Sequence, residues 1–378
     1  MLVAVSLLFR YEDFVIQIGG TVFHLGLIVG IGTTGAVAMR IFQGVAIDQL
    51  GARRIWLACL AIYALSIFWH LWIKQLGVEV FAARILMNSS LAGAFGSSIA
   101  LVSLRAPAGR VAETVGMLGS SGFVGMAIGP TIGDWLFARD VSLDAQIQSM
   151  FYGCLVTIGI AFVCVFLSGG PAVKAAENRT NGKKSKAILA IVRKHHPGFL
   201  LVVGIAMGLG ISLPHAFLRP YAKTLDIDEL KTFFLCYTTV AFVARVMTRK
   251  LPDVLGFRWA ILVGLFFLAA SMPAYLLVTN VWTLAIPATI AGLAHAFLFP
   301  AVVASACESF PVDHRGTATS LILGMFDIGV LVGAPLIGSL LTLTRMLEIA
   351  SYPTMFLTVS ILLSAVAIAF YFLGRKSV

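Results

Sequence analysis

The sequence RIFQGVAIDQLGARR at residues 40–54 has a counterpart 205 residues later, RVMTRKLPDVLGFR at residues 245–258. Three charged residues and a glycine of the first segment recur in the second, with Arg40, Asp48, Gly51 and Arg53 matching Arg245, Asp253, Gly256 and Arg258. Two further pairs have the same offset, Gly119 with Gly324 and Pro130 with Pro335. Because a constant offset between several landmarks is the signature of an internal repeat, we predict two copies of one structural unit.

The composition of the 378 residues indicates a membrane protein. Hydrophobic residues make up 59% of the chain, charged residues only 12%, and the mean hydropathy is +0.97, whereas a soluble domain carries about 25% charged residues. The net charge of +10 comes mainly from Lys and Arg in segments that we place in the cytoplasm, which is the positive-inside bias of membrane proteins. The basic charge therefore indicates orientation, and we expect no nucleic acid partner.

Apolar stretches long enough to cross a membrane, which takes roughly 20 residues, predict eleven helices. They lie at residues 22–47, 55–74, 78–104, 111–137, 149–168, 198–218, 229–250, 258–279, 281–307, 316–342 and 352–373. A polar, basic segment separates the first five from the last six. We therefore predict an N-terminal transmembrane half at residues 1–168, a cytoplasmic linker at residues 169–197 and a C-terminal transmembrane half at residues 198–378.

The repeat accounts for the odd number of spans. The span that begins near Gly198 should have a counterpart that begins 205 residues earlier, before Met1. Residues 1–9 are then the outer end of a first helix whose inner end is missing, either through a misassigned gene start or because this form has a stunted helix. The predicted fold is an all-α polytopic membrane protein of two pseudo-symmetric six-helix bundles with an incomplete first helix. We expect it in the plasma (inner) membrane, with both termini of the full-length form cytoplasmic.

The pattern Arg40-x3-Gly44-x3-Asp48-x2-Gly51-x-Arg53-Arg54 resembles the cytoplasmic loop signature of the major facilitator superfamily. Arg40, Gly44 and Asp48 share one helix face. Gly44 should let a neighbouring helix approach closely, and Gly51 should permit a tight turn. The resemblance implies a conformational gate formed by Arg40, Gly44, Asp48, Gly51, Arg53, Arg54, Arg245, Asp253, Gly256 and Arg258. The alternative interpretation is a basic loop with a turn glycine.

A second motif lies in the predicted span 111–137. Its pattern, Gly116-x8-Gly125-x3-Gly129-Pro130-x2-Gly133, resembles the glycine-proline motif of the family's drug/proton antiporters, although Asp134 stands where a second glycine is usual. Small residues at this spacing create a groove for helix packing, and proline kinks the helix. The resemblance implies a helix on which the halves seal and pivot, and it favours antiport. General membrane packing is the alternative.

Three ionisable residues inside predicted spans are candidates for proton coupling or substrate binding, because such residues are costly in a membrane. Asp327 lies near the middle of its span between Phe326 and Ile328, and it could carry a proton or pair with a cationic substrate. Arg84 stands where the family's antiporters often carry an arginine implicated in proton transfer, although it could simply pair with Glu79. His295 could relay a proton, since histidine titrates near neutral pH.

These observations predict a secondary transporter that moves a small organic solute out of the cell in exchange for protons, by alternating access. The expected partners are the solute, protons and the lipid bilayer, with the protein acting as a monomer. We expect no cofactor and no metal, and no enzyme activity, because no nucleophile, base and orienting group are recognisable. One alternative is proton-coupled uptake of an organic anion by symport, and another is a membrane sensor that binds a ligand without moving it.

Overall fold

The computed structural model describes residues 1–106, 111–169, 191–248, 256–311 and 314–374. Over these residues the chain forms helices joined by short connections, with no strand. Residues 170–190 of the predicted linker lie outside the described residues, as does the predicted gate residue Asp253. The all-α, polytopic fold class predicted from the sequence is confirmed.

The described helices follow one another along the chain, with one 3-10 turn near the start of the chain and another in its second half. In order they are α1 (Leu2–Leu7), a 3-10 turn (Leu8–Arg10), α2 (Tyr11–Gln17), α3 (Val22–Leu50), α4 (Ala52–His70), α5 (Val78–Arg105), α6 (Val111–Phe137), α7 (Leu143–Leu167), α8 (Leu200–Lys223), α9 (Lys231–Met247), α10 (Phe257–Ala274), a 3-10 turn (Tyr275–Leu277), α11 (Ala285–Glu308), α12 (Arg315–Met346) and α13 (Ser351–Leu373).

Each of the eleven predicted spans corresponds to one of the long helices α3–α13. Within the described residues, nine of them are long and apolar enough to cross a membrane; α6 and α9 are the other two. The turns between α3 and α4 and before α10 each place a glycine in the left-handed region, Gly51 with φ +86° and Gly256 with φ +80°. This confirms the tight turn predicted at Gly51, where a side chain would be strained.

The chain forms two compact units. Unit 1 comprises Met1–Glu177 and Leu218–Phe234, and unit 2 comprises Asn178–Phe217 and Leu235–Val378. Helix α8 therefore passes from unit 2 into unit 1 at its last turns, and α9 begins in unit 1 and continues in unit 2.

In unit 1, α1 packs on α6 and α7, α3 packs on α5, and α4 packs on α5 and α7. The core contains fully buried aromatic and aliphatic side chains such as Tyr63, Phe151 and Leu60. In unit 2, α10 packs on α11 and α13, and α12 packs on α11 and α13. Tyr275 and Phe356 stack there with ring centroids 4.6 Å apart. The residues 205 positions earlier, His70 and Phe151, form a similar pair in unit 1, with ring centroids 5.5 Å apart.

Candidate functional site

The arginines of the repeated loop signature hold the same helix end in each unit. The Arg53 guanidinium donates to the carbonyl oxygens of Val165, at 3.2 Å, and Phe166, at the C-terminus of α7. Arg258 donates at 2.5 Å to the carbonyl oxygen of Tyr371, at the C-terminus of α13. Each guanidinium also lies over a ring, that of Phe166 or Tyr371. Because last-turn carbonyls lack intrahelical donors and carry partial negative charge, each arginine stabilises a helix end.

The other predicted gate residues of the two loop signatures lie on or beside α3 and α9. Arg40 and Arg245 are half-buried, whereas Arg54 is exposed at the start of α4. No heavy atom lies within 4 Å of the place a Cβ would take at Gly44, so the close helix approach predicted there is not seen among the described residues. Asp48 belongs to α3, but its side chain lies outside what the structure describes.

The glycine-proline motif forms the face of α6 that receives the start of the chain. Gly116 and Pro130 both lie inside α6. A Cβ on any of the three central glycines would collide with α1 or the 3-10 turn after it, since it would come to 2.8 Å from Leu2 Cβ at Gly125, 2.8 Å from the Leu7 nitrogen at Gly129 and 2.5 Å from Phe9 Cε1 at Gly133. The predicted packing groove is therefore present in unit 1.

Asp134, the residue that departs from the motif, has contacts of its own at the end of α6. It is 4% exposed, and its Oδ1 accepts a hydrogen bond of 2.9 Å from the Arg10 guanidinium. Its Oδ2 accepts from the backbone N–H groups of Leu230 (2.8 Å) and Lys231 (2.7 Å) at the start of α9. A carboxylate at this place accepts hydrogen bonds from N–H groups at the start of α9 that have no partner within the helix, and its negative charge stabilises the positive end of the helix dipole.

Further charges extend this cluster along α2 and α8. The Arg219 guanidinium lies 3.4 Å from Asp13 and donates to the Asp228 carbonyl oxygen at 2.9 Å. The Lys223 ammonium pairs with Glu12 at 2.8 Å and with Asp13 at 2.5 Å. These residues were not predicted from the sequence. Their only local signal was the acid in place of glycine at position 134, because the partners are far apart in sequence.

Arg84 has a defined place on α5 in unit 1. Its guanidinium lies over the ring of Tyr11, 4.3 Å from the centroid, a cation–π contact that contributes about 0.5–2 kcal/mol. Its Nη1 lies 3.9 Å from the Met87 sulfur, and the backbone of Gly32 on α3 packs against its stem. Arg84 Nε is buried with no hydrogen-bond partner among the described residues.

His295 belongs to a polar cluster on three helices of unit 2. Its Nδ1 lies 2.5 Å from the Tyr237 hydroxyl on α9, and its ring contacts that of Phe299 at 5.5 Å. His215 on α8 approaches the Tyr237 ring at 6.2 Å, and its Nδ1 donates to the Ile211 carbonyl oxygen. Tyr237 and His215, like His70 in unit 1, were not among the residues predicted from the sequence.

Arg245 adds a permanent positive charge to the same cluster. It lies eight residues after Tyr237 on the same face of α9, close enough to interact electrostatically with Tyr237 and His295. Among the helices α8–α13, the acidic residues are Asp327, inside α12, and Glu308, the last residue of α11. The cluster can therefore attract an anion or hold a mobile proton.

Asp327 lies inside α12, 8% exposed. The adjacent residues form a close helix crossing: the backbone at Phe326 packs against Gly208 of α8, and a Cβ at Gly329 would come within 3.0 Å of the Gly208 Cα. Asp327 and His295 both belong to unit 2, and Arg84 belongs to unit 1.

Comparison with known proteins gives a consistent result. A sequence profile described as Major Facilitator Superfamily matches residues 4–253 and 228–378. An uncharacterized MFS-type transporter of Methanocaldococcus jannaschii is 25% identical over 337 residues, which cover 85% of this chain and 83% of that protein.

Solved structures show the same fold at low sequence identity. The nucleoside transporter NupG, in a mutant form, is similar with a TM-score of 0.80 and 11% identity over 98% of this chain and 96% of that chain. The human organic anion transporter MFSD10 (TETRAN) is similar with a TM-score of 0.69 and 16% identity over 97% of this chain and 95% of that chain. With the family profile covering more than half of the sequence, the chain belongs to the Major Facilitator Superfamily and is a multi-pass membrane transporter.

Proposed function

We propose that this transporter exports a small organic solute in exchange for protons, by alternating access. In this proposal Asp327 carries the proton, and Arg84 and His295 adjust proton release or bind the solute. The loop-signature residues of the two units, including Arg40, Arg53, Arg245 and Arg258, act as the gate. We place the protein in the inner membrane, with the termini of the full-length form in the cytoplasm.

The burial of Asp327 carries this proposal. Its side chain is 8% exposed within a long apolar helix, where an ionised carboxylate is costly. Because such a group is costly in the membrane, its presence indicates a function. A carboxylate that alternates between protonated and ionised forms can couple proton movement to solute movement. Antiport, rather than symport, is favoured by the resemblance of the α6 glycine-proline motif to that of the family's antiporters.

A second candidate is uptake of an organic anion by proton symport. The observation in its favour is the cluster of His215, Tyr237, Arg245 and His295 on α8, α9 and α11. Positive and hydrogen-bond-donating groups in an apolar surrounding select carboxylates and other anions.

The test uses purified protein in liposomes that contain a pH-sensitive dye, with benzoate, uridine and tetraphenylphosphonium as probes of three different charges. The Asp327→Asn variant should lower proton-coupled flux of the transported probe at least about tenfold, equivalent to ~1.4 kcal/mol. Asp327→Glu should restore part of the flux. Glu229→Gln, a change at an exposed loop acid, is the matched control and should keep the wild-type rate. Full flux in Asp327→Asn would remove the coupling role of this residue.

A further inference from the structure

We infer that Tyr11 and His70 are positioning residues for Arg84, and that they fix its guanidinium for the coupling role given to it above. This inference rests on the proposed function. The residues belong to three elements of unit 1, α2, α4 and α5, and neither of the two contacts that link them, Tyr11 with Arg84 and Tyr11 with His70, is local in sequence. Tyr11 contacts Arg84 and His70 contacts Tyr11, so in this inference the effect of both residues on transport passes through Arg84.

The first contact fixes the cation. The Arg84 guanidinium carbon lies 4.3 Å above the Tyr11 ring centroid, and Gly32 on α3 leaves room for its stem, since a Cβ there would collide with Arg84 Cγ. An aromatic face attracts a guanidinium without accepting its N–H groups in fixed directions. Tyr11 thus holds the charge in place while the buried Nε–H has no hydrogen-bond partner among the described residues.

The second contact fixes the ring. The Tyr11 hydroxyl lies 3.1 Å from His70 Nε2, and His70 Nδ1 lies 2.7 Å from the Ser66 carbonyl oxygen. Because a carbonyl oxygen only accepts, Nδ1 carries the proton, so Nε2 accepts from the Tyr11 hydroxyl. Both side chains are nearly inaccessible, Tyr11 at 3% and His70 at 1%. A buried pair in which each polar atom is satisfied has one geometry.

Packing around His70 supports the same role. The centroid of its ring lies 5.7 Å from that of Phe14 and 5.5 Å from that of Phe151. The Tyr11 and Phe14 ring centroids are 5.4 Å apart. With both nitrogens bonded and its side chain 1% exposed among aromatic rings, His70 is placed to hold Tyr11 rather than to exchange protons with solvent.

The test follows the guanidinium directly by NMR of protein labelled with ¹⁵N-arginine in detergent micelles. The Arg84 Nε–H signal is assigned by its absence in Arg84→Lys. The Tyr11 ring current should shift this proton upfield in the wild type, and the shift should persist in Tyr11→Phe, which keeps the ring. It should vanish in Tyr11→Leu. Tyr152→Leu, a change at an exposed tyrosine of α7, is the control. An unchanged signal in Tyr11→Leu would overturn the inference.

The role of His70 is tested by a thermal unfolding cycle. His70→Phe alone leaves the Tyr11 hydroxyl buried without its acceptor, whereas the pair Tyr11→Phe and His70→Phe removes both polar atoms. The double variant should therefore have a higher Tm than His70→Phe alone. Additive Tm changes would show that His70 does not hold Tyr11.

The liposome assay separates this inference from the proposed function. With the probe that the wild type moves, Tyr11→Leu should lose flux to the level of Arg84→Ala, and Tyr11→Phe should lose less. If Tyr11→Leu transports like the wild type, the positioning role is wrong and the proposed function stands. If the wild type moves no probe against protons, the proposed function fails, and the NMR signal still decides whether Tyr11 positions Arg84.

Discussion

Units 1 and 2 handle buried charge in different ways. In unit 1, Arg10 and Asp134 neutralise each other, and the neighbouring acids of α2 pair with cations of α8. In unit 2, Arg245 lies near His295 and Tyr237, on helices that contain one interior acid, Asp327. A compensated cluster stabilises a fixed arrangement, whereas a cluster with one permanent cation, on helices with a single interior acid, is suited to binding and proton exchange.

The two tyrosine–histidine pairs show the same contrast at smaller scale. His70 in unit 1 is 1% exposed and bonded through both ring nitrogens. His295 in unit 2 bonds Tyr237 through Nδ1 but is only half-buried. The pairs do not occupy equivalent places in the repeat, since the residues 205 positions after Tyr11 and His70 are Ala216 and Tyr275. The duplicated scaffold thus carries different polar chemistry in each unit.

The largest expected effect is at Asp134. Asp134→Gly, which restores the residue usual in the motif, removes the nearer of the two carboxylates that pair with Arg10, leaves only Asp13 at 3.7 Å, and takes the N-terminal acceptor from α9. Loss of one partner of a buried pair costs about 3–5 kcal/mol. The matched control is Ser339→Gly, at the equivalent position of unit 2, where the hydroxyl makes a local bond to the Pro335 carbonyl oxygen. That change should cost ~0.5 kcal/mol or less.

Denaturant or thermal unfolding in detergent measures both changes. Equal destabilisation by the two variants would show that the ion pairs of Asp134 stabilise the protein no more than the local hydrogen bond of Ser339 does. If Asp134→Gly is rescued by Arg10→Met, the cost comes from the unpaired charge rather than from the lost helix cap.

A smaller effect is expected at a helix crossing that occurs once in each unit, with the glycine on one helix in unit 1 and on the other helix in unit 2. In unit 1 the glycine is Gly93 on α5, facing Cys59 of α4; in unit 2 it is Gly264 on α10, facing Leu298 of α11. These positions correspond in the repeat with the partners reversed. A Cβ at Gly264 would lie 2.9 Å from the Leu298 backbone, which cannot move aside easily. A Cβ at Gly93 would meet the flexible end of Met39 and the Cys59 sulfur.

Gly264→Ala should therefore destabilise the protein by about 1–3 kcal/mol, as overpacking does, and Gly93→Ala should cost less. Thermal unfolding of the two variants side by side makes the comparison. A larger loss of stability in Gly93→Ala than in Gly264→Ala would mean that moving the Met39 and Cys59 side chains costs more free energy than shifting the backbone at Leu298.

The smallest effect is expected at the capping arginines. Arg258→Ala removes a charged hydrogen bond to the end of α13, worth about 1 kcal/mol at a solvent-facing site. Arg53→Ala should cost less, because Arg105 also donates to the end of α7, at 2.7 Å from the Ser168 carbonyl oxygen. Hydrogen exchange at the last turns of α7 and α13 reports each end separately. Greater fraying of α7 in Arg53→Ala than of α13 in Arg258→Ala would show that Arg105 gives no support.

The sequence was enough to predict the helices and the repeat. Long apolar stretches determine spans almost independently of tertiary contacts, and the predicted span 352–373 matches α13, Ser351–Leu373. The turn at Gly51 was predictable because only glycine adopts its φ without strain.

The polar clusters could not be predicted in the same way. Arg10 and Asp134 are 124 residues apart, and Tyr237 and His295 are 58 residues apart. Hydrophobic periodicity locates helices but does not say which polar side chains of distant helices meet. His70 was overlooked because it ends α4, where a histidine in sequence alone is indistinguishable from an interfacial one. Gly44 shows the opposite difference, since its spacing predicted a close contact that is not seen among the described residues.

Proton antiport is tested most directly with wild-type protein in liposomes that enclose a pH-sensitive dye. Benzoate, uridine or tetraphenylphosphonium is added outside at equal pH on both sides, and protein-free liposomes correct for passive entry. We predict that entry of the transported probe makes the lumen more alkaline, because a proton leaves as the probe enters. Acidification of the lumen would contradict antiport and establish symport in its place.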